Sequence, residues 1–271
     1  MTLPEPSRVF LFRGAEILLR AEGPSSSPGC ALPDSGLLEG LRLSGRRDYP
    51  AGGLACVAAR LAPDMPDAEL SALGLAPLPF RTALAELPGD EAARAAKGLG
   101  LLNWLESARH CGACGAELSD DGKEGYRNGA RSCGVCGKVF YPRVSPAVIV
   151  LVHRGDKVLL AHNAAFPADR FGLVAGFVEP GESIEQTARR ELAEEAAIEV
   201  RELRYVESQP WPFPDSLMLA MEAEWAAGEG RPDGVEITEL RWCGPSELPS
   251  IPPPGSVARR LIDGWLSRSL N

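Results

Sequence analysis

Residues 176–198 constrain the fold of this chain more than any other segment, because they join a turn-forming loop to an amphipathic helix. Ser183 and Gln186 lie three residues apart, and this spacing predicts a capping box at which the helix begins. Apolar residues then recur at every fourth position and predict one buried stripe: Ile184, Ala188, Leu192 and Ala196. The segment therefore predicts a helix that packs on a core through that stripe.

Carboxylates occupy a second face of the same predicted helix. Glu191 and Glu195 are four residues apart with Glu194 beside them, and like charges at this spacing repel by roughly a few tenths of a kcal/mol. Carboxylate oxygens suit Mg²⁺ or Mn²⁺, which proteins bind through a few such groups together with substrate phosphates. The alternative is a solvated acidic helix surface, because runs of charge are common there.

The segment resembles the Nudix box, G-x5-E-x7-R-E-U-x-E-E-x-G-U with U aliphatic, at every fixed position but one. Ala197 stands where the family has glycine. That glycine would end the helix in a left-handed conformation, in which alanine costs about 1 kcal/mol. The alanine at position 197 therefore affects how the helix ends, whereas all the carboxylates of the box are present. The resemblance implies an α/β fold, a Nudix α/β/α sandwich with a mixed sheet.

Length and charge restrict the remaining possibilities. A chain of 271 residues predicts about two domains, and its net charge of −9 argues against broad electrostatic binding to nucleic acid or anionic membrane. The N-terminus lacks the pattern of a signal peptide, and the strongly apolar run 147–152 is too short to span a bilayer. We expect a cytoplasmic protein with no membrane partner.

Residues 1–108 mix short apolar runs with Gly, Pro and Ser, which predicts a divergent strand-rich N-terminal domain with a loop at 23–29. A helix is predicted over residues 90–108, and this region carries no functional motif. Residues 109–141 hold two C-x-x-C units, and residues 142–271 hold the box, several predicted strands and a final helix that Ser256 caps. The predicted domains are therefore 1–108, 109–141 and 142–271.

Four of the seven cysteines form two knuckles separated by eighteen residues: Cys111, Cys114, Cys133 and Cys136. Four thiolates make a closed tetrahedral Zn²⁺ site, which predicts one structural zinc ion per chain. The alternative is a redox dithiol, for which one such knuckle would suffice. His110 is surplus to a complete ligand set, and Cys30, Cys56 and Cys243 are predicted to be reduced thiols.

Residues 208–216 read SQPWPFPDS and alternate prolines with aromatic residues. The prolines favour an extended backbone that cannot pair as a central strand. Trp211 and Phe213 would then offer fixed faces for base stacking, worth about 1–3 kcal/mol per base. A proline-stiffened loop whose aromatic side chains fill the core explains the pattern equally well.

This run resembles the SQPWPFPxS signature of NADH pyrophosphatases within the Nudix superfamily. The zinc ribbon, the Tyr141-Pro142-Arg143 link and the tail 252–262 are similar to the same family, so the resemblance covers about residues 111–262. It implies hydrolysis of NADH or NAD⁺ to NMN(H) and AMP. It also implies more than one Mg²⁺ or Mn²⁺ per site, and a homodimer.

The resemblance implies the following site residues. The catalytic carboxylates would be Glu191, Glu194, Glu195 and Glu236, with Glu239 a close competitor for the last position. The metal ligands would be Glu191, Glu195, Glu236 and the carbonyl of Ala175. The general base would be Glu195 or Glu194, and Arg190 would brace Glu182. The dinucleotide would contact Tyr141, Phe177, Gln209, Pro210, Trp211, Pro212, Phe213, Pro214, Asp215, Ser216 and Ala258.

Two other functions are compatible with the sequence. Removal of NAD caps from RNA would cleave the same bond. The acidic balance of the chain predicts no RNA-binding track, but local basic residues are compatible with RNA binding: Arg127, Arg131, Arg143 and Arg154. A catalytically silent module that binds nucleotides belongs to a different class. The presence of every box carboxylate argues against it, because loss of activity would be expected to remove at least one.

Overall fold

The computed structural model describes residues 7–22, 27–28, 31–120 and 129–269. Most of the loop predicted at 23–29 lies outside the described residues, as do Cys30 and Arg127. The chain divides into two compact units. The first unit comprises Met1–Val144 with Trp211–Asp215, and the second comprises Ser145–Pro210 with Ser216–Asn271.

The first unit contains a six-stranded sheet in the order β3-β2-β1-β5-β4, with β6 paired to β2. Strands β1 and β5 run parallel, whereas β1 with β2, β2 with β6 and β4 with β5 run antiparallel. The strands are β1 (Arg8–Arg13), β2 (Glu16–Glu22), β3 (Ser27–Pro28), β4 (Leu43–Ala51), β5 (Leu54–Leu61) and β6 (Leu75–Pro79). The sheet confirms the predicted strand-rich character of this region.

Helices cover both faces of this sheet. They are α1 (Asp67–Ala72), α2 (Phe80–Glu86) and α3 (Glu91–Ser107), with a 3-10 helix at Ser35–Gly40. Successive residues of β1 alternate between two buried clusters, since Phe10 packs with α3 and Val9 packs with α1. The helix predicted over 90–108 is α3, whereas α1 and α2 are too short to leave a periodic pattern in the sequence.

A three-stranded sheet, in the order β7-β8-β9, completes the first unit and carries the cysteine knuckles. Its strands are β7 (Leu118–Ser119), β8 (Arg131–Cys133) and β9 (Val139–Phe140). A small cluster of buried residues, which includes Cys111 and Cys133, fills the space beneath it.

The second unit is built on a mixed six-stranded sheet in the order β13-β14-β10-β11-β15, with β12 paired to β10. Strands β10 and β14 are parallel, whereas β10 is antiparallel to both β11 and β12. Its strands and helices are β10 (Ser145–Arg154), β11 (Lys157–Asn163), β12 (Val174–Phe177), α4 (Ile184–Ala196), β13 (Glu199–Trp211), β14 (Ser216–Ala227), β15 (Ile237–Cys243) and α5 (Val257–Ser269).

One helix lies on each face of this mixed sheet. Val148 and Val150 of β10 pack with the apolar stripe of α4, in which Ala188, Leu192 and Ala196 are fully buried. The neighbouring residues of β10 face the other way and pack with α5. Burial of Leu192 alone stabilises the layer by about 1.5–3 kcal/mol. The predicted α/β/α sandwich with a mixed sheet is confirmed.

Pro210 lies in β13, which is an edge strand, and proline within a sheet is tolerated on edge strands. This agrees with the prediction that the proline-rich run could not pair as a central strand. Over the residues that the structure describes, none of the helices has both the length and the apolar character needed to cross a membrane.

Candidate functional site

The helix that carries the candidate ligands, α4, begins at the predicted capping box. The N–H of Gln186 donates to Oγ of Ser183 at 3.3 Å, and the N–H of Ser183 donates to Oε1 of Gln186 at 2.7 Å. Two N–H groups that the helix would leave unpaired are thereby satisfied. The first turn of α4 is therefore held in place by its own side chains.

The same helix ends at the position where the Nudix box has glycine. Ala197 has φ 52° and ψ 44°, which is the left-handed conformation that glycine would adopt. The N–H of Ala197 donates to the carbonyl of Ala193 at 3.2 Å, and the N–H of Ile198 donates to that of Leu192 at 3.3 Å. Alanine therefore keeps the helix exit of the box, at a cost of about 1 kcal/mol.

Arg190 fastens the loop before α4 to the helix. Its Nε and Nη2 donate to the two oxygens of Glu182 at 2.7 and 3.0 Å, which confirms the predicted pair. Nη2 also donates to the carbonyl of Phe177 at 3.0 Å. The hydrogen bonds from Arg190 lower the pKa of Glu182 to about 2. Two-point pairing of this kind fixes orientation as well as distance, so the loop and the helix keep one relative geometry.

Two carboxylates on α4 are buried although they carry the same charge. Glu191 is 8% exposed and Glu195 is 7% exposed. Glu191 lies against β12, so closely that a Cβ atom on Gly176 would overlap its carboxylate. Nη1 of Arg190 donates to Oε1 of Glu191 at 2.9 Å. Only glycine at position 176 leaves room for this approach.

Burial and neighbouring negative charges oppose ionisation of the Glu191 and Glu195 carboxyl groups. Burial, together with the negative charges of Glu191 and Glu236, raises the pKa of Glu195 to about 8. Burial also raises the pKa of Glu191, although the hydrogen bond from Arg190 opposes this effect. Several carboxylates crowded together favour positive charge between them, and oxygen donors of this kind fit a hard divalent cation. The donor set therefore fits the metal that the box implies.

Glu236 stands on a turn that Asp233 organises. The Asp233 carboxylate accepts hydrogen bonds from the N–H groups of Val235 at 3.1 Å, Glu236 at 3.2 Å and Ile237 at 2.8 Å. The N–H of Asp233 donates to the carbonyl of Glu195 at 3.3 Å. The turn is thereby tied to the C-terminal end of α4, and the Glu236 charge helps to raise the pKa of Glu195.

The other acidic candidates have different surroundings. Glu239 pairs with Arg241 at 2.6 Å, and hydrogen bonding from that guanidinium lowers the pKa of Glu239. The Glu194 side chain is 62% exposed and lies 3.1 Å from Nη1 of Arg190. Ala175 lies in β12 directly before Gly176 and opposite Ile149 of β10. Ala175 is therefore close in the chain to the backbone that Glu191 approaches.

The four cysteines of the two knuckles converge. Their Sγ atoms all lie within 4.8 Å of one another. The Cys111–Cys136 and Cys114–Cys133 Sγ separations are 3.6 and 3.4 Å, too long for disulfides. The N–H of Cys136 donates to Sγ of Cys133 at 3.4 Å, and this hydrogen bond helps to lower the pKa of that thiol to about 6. The cluster suggests zinc, because Zn²⁺ binds thiolates in this arrangement.

Cys56, Cys243 and His110 lie outside that cluster. Cys56 and Cys243 are buried free thiols, as predicted. His110 is exposed and forms an isolated bridge with Glu117.

Gln209 joins the end of β13 to the start of α5. Its Nε2 donates to the carbonyl of Gly255 at 2.7 Å, and its Oε1 accepts from the N–H of Val257 at 2.7 Å. Gln209 is 8% exposed, Ala258 is 7% exposed and Ser216 is 9% exposed. These three predicted substrate contacts are therefore largely buried within the second unit, whereas Phe177 is 57% exposed.

The rest of the aromatic run, Trp211–Asp215, belongs to the first unit. The rings of Trp211 and Phe213 meet edge to face with centroids 5.1 Å apart, and Phe213 packs on Phe80 at 6.0 Å. Arg81 lies over both rings, 5.6 Å from the centroid of Trp211 and 4.8 Å from that of Phe213. Phe213 thus fills the edge of a core, as one of the two interpretations expects, and both rings remain partly exposed.

Further residues of the first unit that the sequence singles out differ in their exposure. Nε of Arg143 is 4.0 Å from the Asp215 carboxylate, and Tyr141 is 63% exposed. Pro212 is buried, whereas Pro214 is exposed.

Comparison with known proteins assigns the family. The family described as "NUDIX domain" matches residues 143–263. The "NAD-capped RNA hydrolase NudC" of Chromobacterium violaceum is 42% identical over 185 residues, which cover 68% of each protein. The chain belongs to the Nudix family.

A second relative of this Nudix protein bears the same name. The "NAD-capped RNA hydrolase NudC" of Pectobacterium carotovorum is 43% identical over 169 residues, which are 62% of this chain and 64% of the relative. The match thus spans a little under two thirds of that relative. A crystal structure of a Nudix hydrolase from Nitrosomonas europaea is 26% identical with a TM-score of 0.45, and covers 59% of this chain and 89% of that one.

The Nudix match contains the box, Glu236 and Gln209, whereas the cysteine cluster precedes it. Sequence reasoning missed two polar residues that organise candidate segments. Asp233 lies in a Pro-Asp-Gly run whose turn signal was available. Asn103 lies within α3, where its Nδ2 donates to the carbonyls of Pro212 and Pro214, and the helical sequence around it carries no such signal.

Proposed function

We propose that this Nudix protein hydrolyses the pyrophosphate bond of NADH or NAD⁺ and releases NMN(H) and AMP. The observation that carries the proposal is the pair of buried carboxylates, Glu191 and Glu195, on a helix whose loop and exit follow the Nudix box. The names of the relatives, which refer to NAD, and the SQPWPFPDS run support the choice of substrate.

The proposal assigns more than one Mg²⁺ or Mn²⁺ to the carboxylates. The ligands are Glu191, Glu195, Glu236 and the carbonyl of Ala175. When bound, these cations neutralise charge on the pyrophosphate oxygens and lower the pKa of a water molecule. The turn held by Asp233 supports Glu236 as the later ligand, because the charge of Glu236 acts on Glu195 while Glu239 is engaged by Arg241.

The residues of the chain then act as follows. The oxygen of a water molecule attacks one phosphorus, and the bond from that phosphorus to the bridging oxygen breaks. Either Glu195 or Glu194 accepts the proton from the water. The exposure of Glu194 and its contact with Arg190 support Glu195 for this role. The pair of Arg190 and Glu182 keeps the loop in a fixed position relative to α4 during the reaction.

Binding of the dinucleotide is assigned to the residues that match the family signature. They are Tyr141, Phe177, Gln209, Pro210, Trp211, Pro212, Phe213, Pro214, Asp215, Ser216 and Ala258. The partly exposed rings of Trp211 and Phe213 support a role in stacking on a base. Gln209 and Ala258 are largely buried, and the hydrogen bonds of Gln209 to Gly255 and Val257 support a role in holding the start of α5 in place.

A second substrate is NAD-capped RNA, because the relatives at 42–43% identity are named NAD-capped RNA hydrolases. The cleaved bond is the same. We assign one structural zinc to the cysteine cluster, and we keep the domain boundaries predicted at 108/109 and 141/142. Homodimer formation and a cytoplasmic location also remain proposals, which rest on the resemblance and on the sequence.

The test is hydrolysis of NADH, NAD⁺, ADP-ribose and NAD-capped RNA by purified protein, with and without Mg²⁺ or Mn²⁺, and with products resolved by chromatography. We expect metal-dependent NMNH and AMP from NADH, and a loss of about 10²–10⁴-fold in Glu195→Gln. Glu199→Gln, at an exposed position on β13, is the matched control. Absence of cleavage by folded, zinc-loaded protein would instead support a silent nucleotide-binding module.

A further inference from the structure

The segment Trp211–Asp215 satisfies little of its own backbone: within it, the N–H of Phe213 donates to the carbonyl of Trp211 at 2.7 Å. Two of its five residues are prolines, so Pro212 and Pro214 have no N–H to donate. Residues 212–215 of the segment lie between the end of β13 at Trp211 and the start of β14 at Ser216, outside both strands. The carbonyl groups of Pro212 and Pro214 therefore need donors from elsewhere.

One side chain supplies two of these donors. Nδ2 of Asn103, on α3, donates to the carbonyl of Pro212 at 3.0 Å and to the carbonyl of Pro214 at 2.7 Å. A primary amide has two N–H donors on one nitrogen, so a single asparagine can bridge two carbonyls that lie two residues apart. The bridge spans Phe213, the aromatic residue between the two prolines.

The orientation of this amide is itself fixed. Nη2 of Arg60 donates to Oδ1 of Asn103 at 2.7 Å. Arg60 is in turn held by the carbonyl of Gly14 at 2.9 Å and by Oε1 of Glu106, which lies 2.7 Å from its Nε. Because the guanidinium can only donate, Oδ1 must face Arg60 and Nδ2 must face the prolines.

The two rings of the segment meet residues of α2. Phe213 packs on Phe80, and the guanidinium of Arg81 lies over both Trp211 and Phe213. Side-chain packing holds one side of the segment, and the Asn103 amide holds its backbone. Both sets of contacts come from the N-terminal region, for which the sequence suggested no role.

We propose that Asn103 is a positioning residue that fixes the Trp211–Asp215 segment for binding of the nucleotide base. This inference rests on the proposed hydrolysis of NADH. Asn103 does not touch the pyrophosphate chemistry, so its loss weakens binding of substrate and transition state alike. A change of this kind raises KM and leaves kcat nearly unchanged.

The decisive variant is Asn103→Asp, which keeps the shape of the side chain and replaces both N–H donors by an acceptor facing two carbonyls. We expect KM for NADH to rise about tenfold or more, with kcat within about twofold. Asn103→Gln retains both N–H groups and should recover part of the loss. Ala93→Asp, which adds the same charge at an exposed position of α3, is the control and should match the wild type.

A readout independent of activity tests the positioning directly. Acrylamide quenching of tryptophan fluorescence should increase in Asn103→Asp, and the increase should vanish when Trp211→Phe is added. Equal circular dichroism and zinc content among the variants would show that the fold is intact. Unchanged KM in an intact Asn103→Asp variant would overturn the proposal.

The two proposals fail in distinguishable ways. If the wild type does not hydrolyse NADH, the proposed function fails and the substrate role of Asn103 fails with it. The quenching measurement then still decides whether Asn103 holds the segment. If the wild type is active and quenching does not change in Asn103→Asp, only the positioning role is wrong.

Discussion

Gly176 in β12 lies directly against the carboxylate of Glu191 in α4, so that a Cβ atom at position 176 would overlap that carboxylate. Gly176 is the glycine that opens the Nudix box, and Glu191 is the glutamate that directly follows its arginine. Their contact explains why the box joins them: the glycine lets a buried carboxylate reach the backbone of the neighbouring strand. The φ angle of Gly176 is outside the left-handed region, so its backbone would accept alanine.

Gly176→Ala should therefore damage the site and leave the fold intact. The added methyl group displaces the Glu191 carboxylate, and changes to groups that orient metal ligands cost about 10–100-fold in metal affinity or activity. The measurement is the Mg²⁺ dependence of NADH hydrolysis, with circular dichroism as a check on folding. Gly264→Ala is the control, because a Cβ there meets its nearest neighbour at an ordinary 3.6 Å. Equal Mg²⁺ dependence in both variants would contradict this account of Gly176.

The raised pKa of Glu195 predicts how stability depends on pH when divalent cations are absent. A carboxyl whose pKa rises on folding stabilises the folded state fully below its unfolded pKa of about 4.3. That contribution is lost as the pH rises through the folded pKa of about 8. The urea midpoint of the wild type should therefore fall between about pH 5 and about pH 9 by more than that of Glu195→Gln.

Addition of Mg²⁺ at about pH 9 should raise the urea midpoint of the wild type more than that of Glu195→Gln. The cation binds the folded state and offsets the repulsion among the ionised carboxylates. Parallel pH profiles for the two proteins would show that Glu195 ionises normally in the folded state.

The resemblance to the Nudix box predicted the α/β/α sandwich, whereas the apolar stripe at helical spacing predicted α4 directly. The spacing of Ser183 and Gln186 predicted the capping box, and the same resemblance predicted the pair between Arg190 and Glu182. The turn at Asp233 was missed although its contacts are local and its Pro-Asp-Gly run signals a turn, whereas the contacts of the Asn103 amide are not local. Asn103 lies more than a hundred residues from Pro212, and the sequence of α3 contains no pattern that predicts this contact.

Ala197→Gly should stabilise the protein, since it restores the glycine of the box at a position with φ 52°. Glycine adopts this conformation without the steric cost that alanine bears, so the free energy of unfolding should rise by about 1 kcal/mol. The matched control is Ala193→Gly, one turn earlier in the interior of α4, which should lower it by about 1 kcal/mol. Urea unfolding of the three proteins checks this. Changes of the same sign in both variants would refute it.

The four cysteines should bind one zinc ion per chain, and His110 should not be a ligand. Cys136→Ala removes one of the four converging thiols and should release the metal, because structural zinc needs all four ligands. His110→Ala should retain it, since that side chain is exposed and outside the cluster. Metal analysis of the purified proteins gives the zinc content of each. Retention of full zinc by Cys136→Ala would exclude a four-thiolate site.

Glu236 and Glu239 offer a matched pair that decides which glutamate completes the metal centre. The two lie three residues apart at the edge of β15, but Asp233 holds the turn of Glu236 against the end of α4 whereas Arg241 engages Glu239. Glu236→Gln should raise the Mg²⁺ concentration required for half-maximal NADH hydrolysis by about 10–100-fold, and Glu239→Gln should leave it nearly unchanged. Asp233→Asn should shift it in the same direction as Glu236→Gln, because it weakens the turn without removing a ligand. The reverse order, with Glu239→Gln the more damaging variant, would transfer the ligand role to Glu239 and leave the Asp233 turn as a purely structural feature.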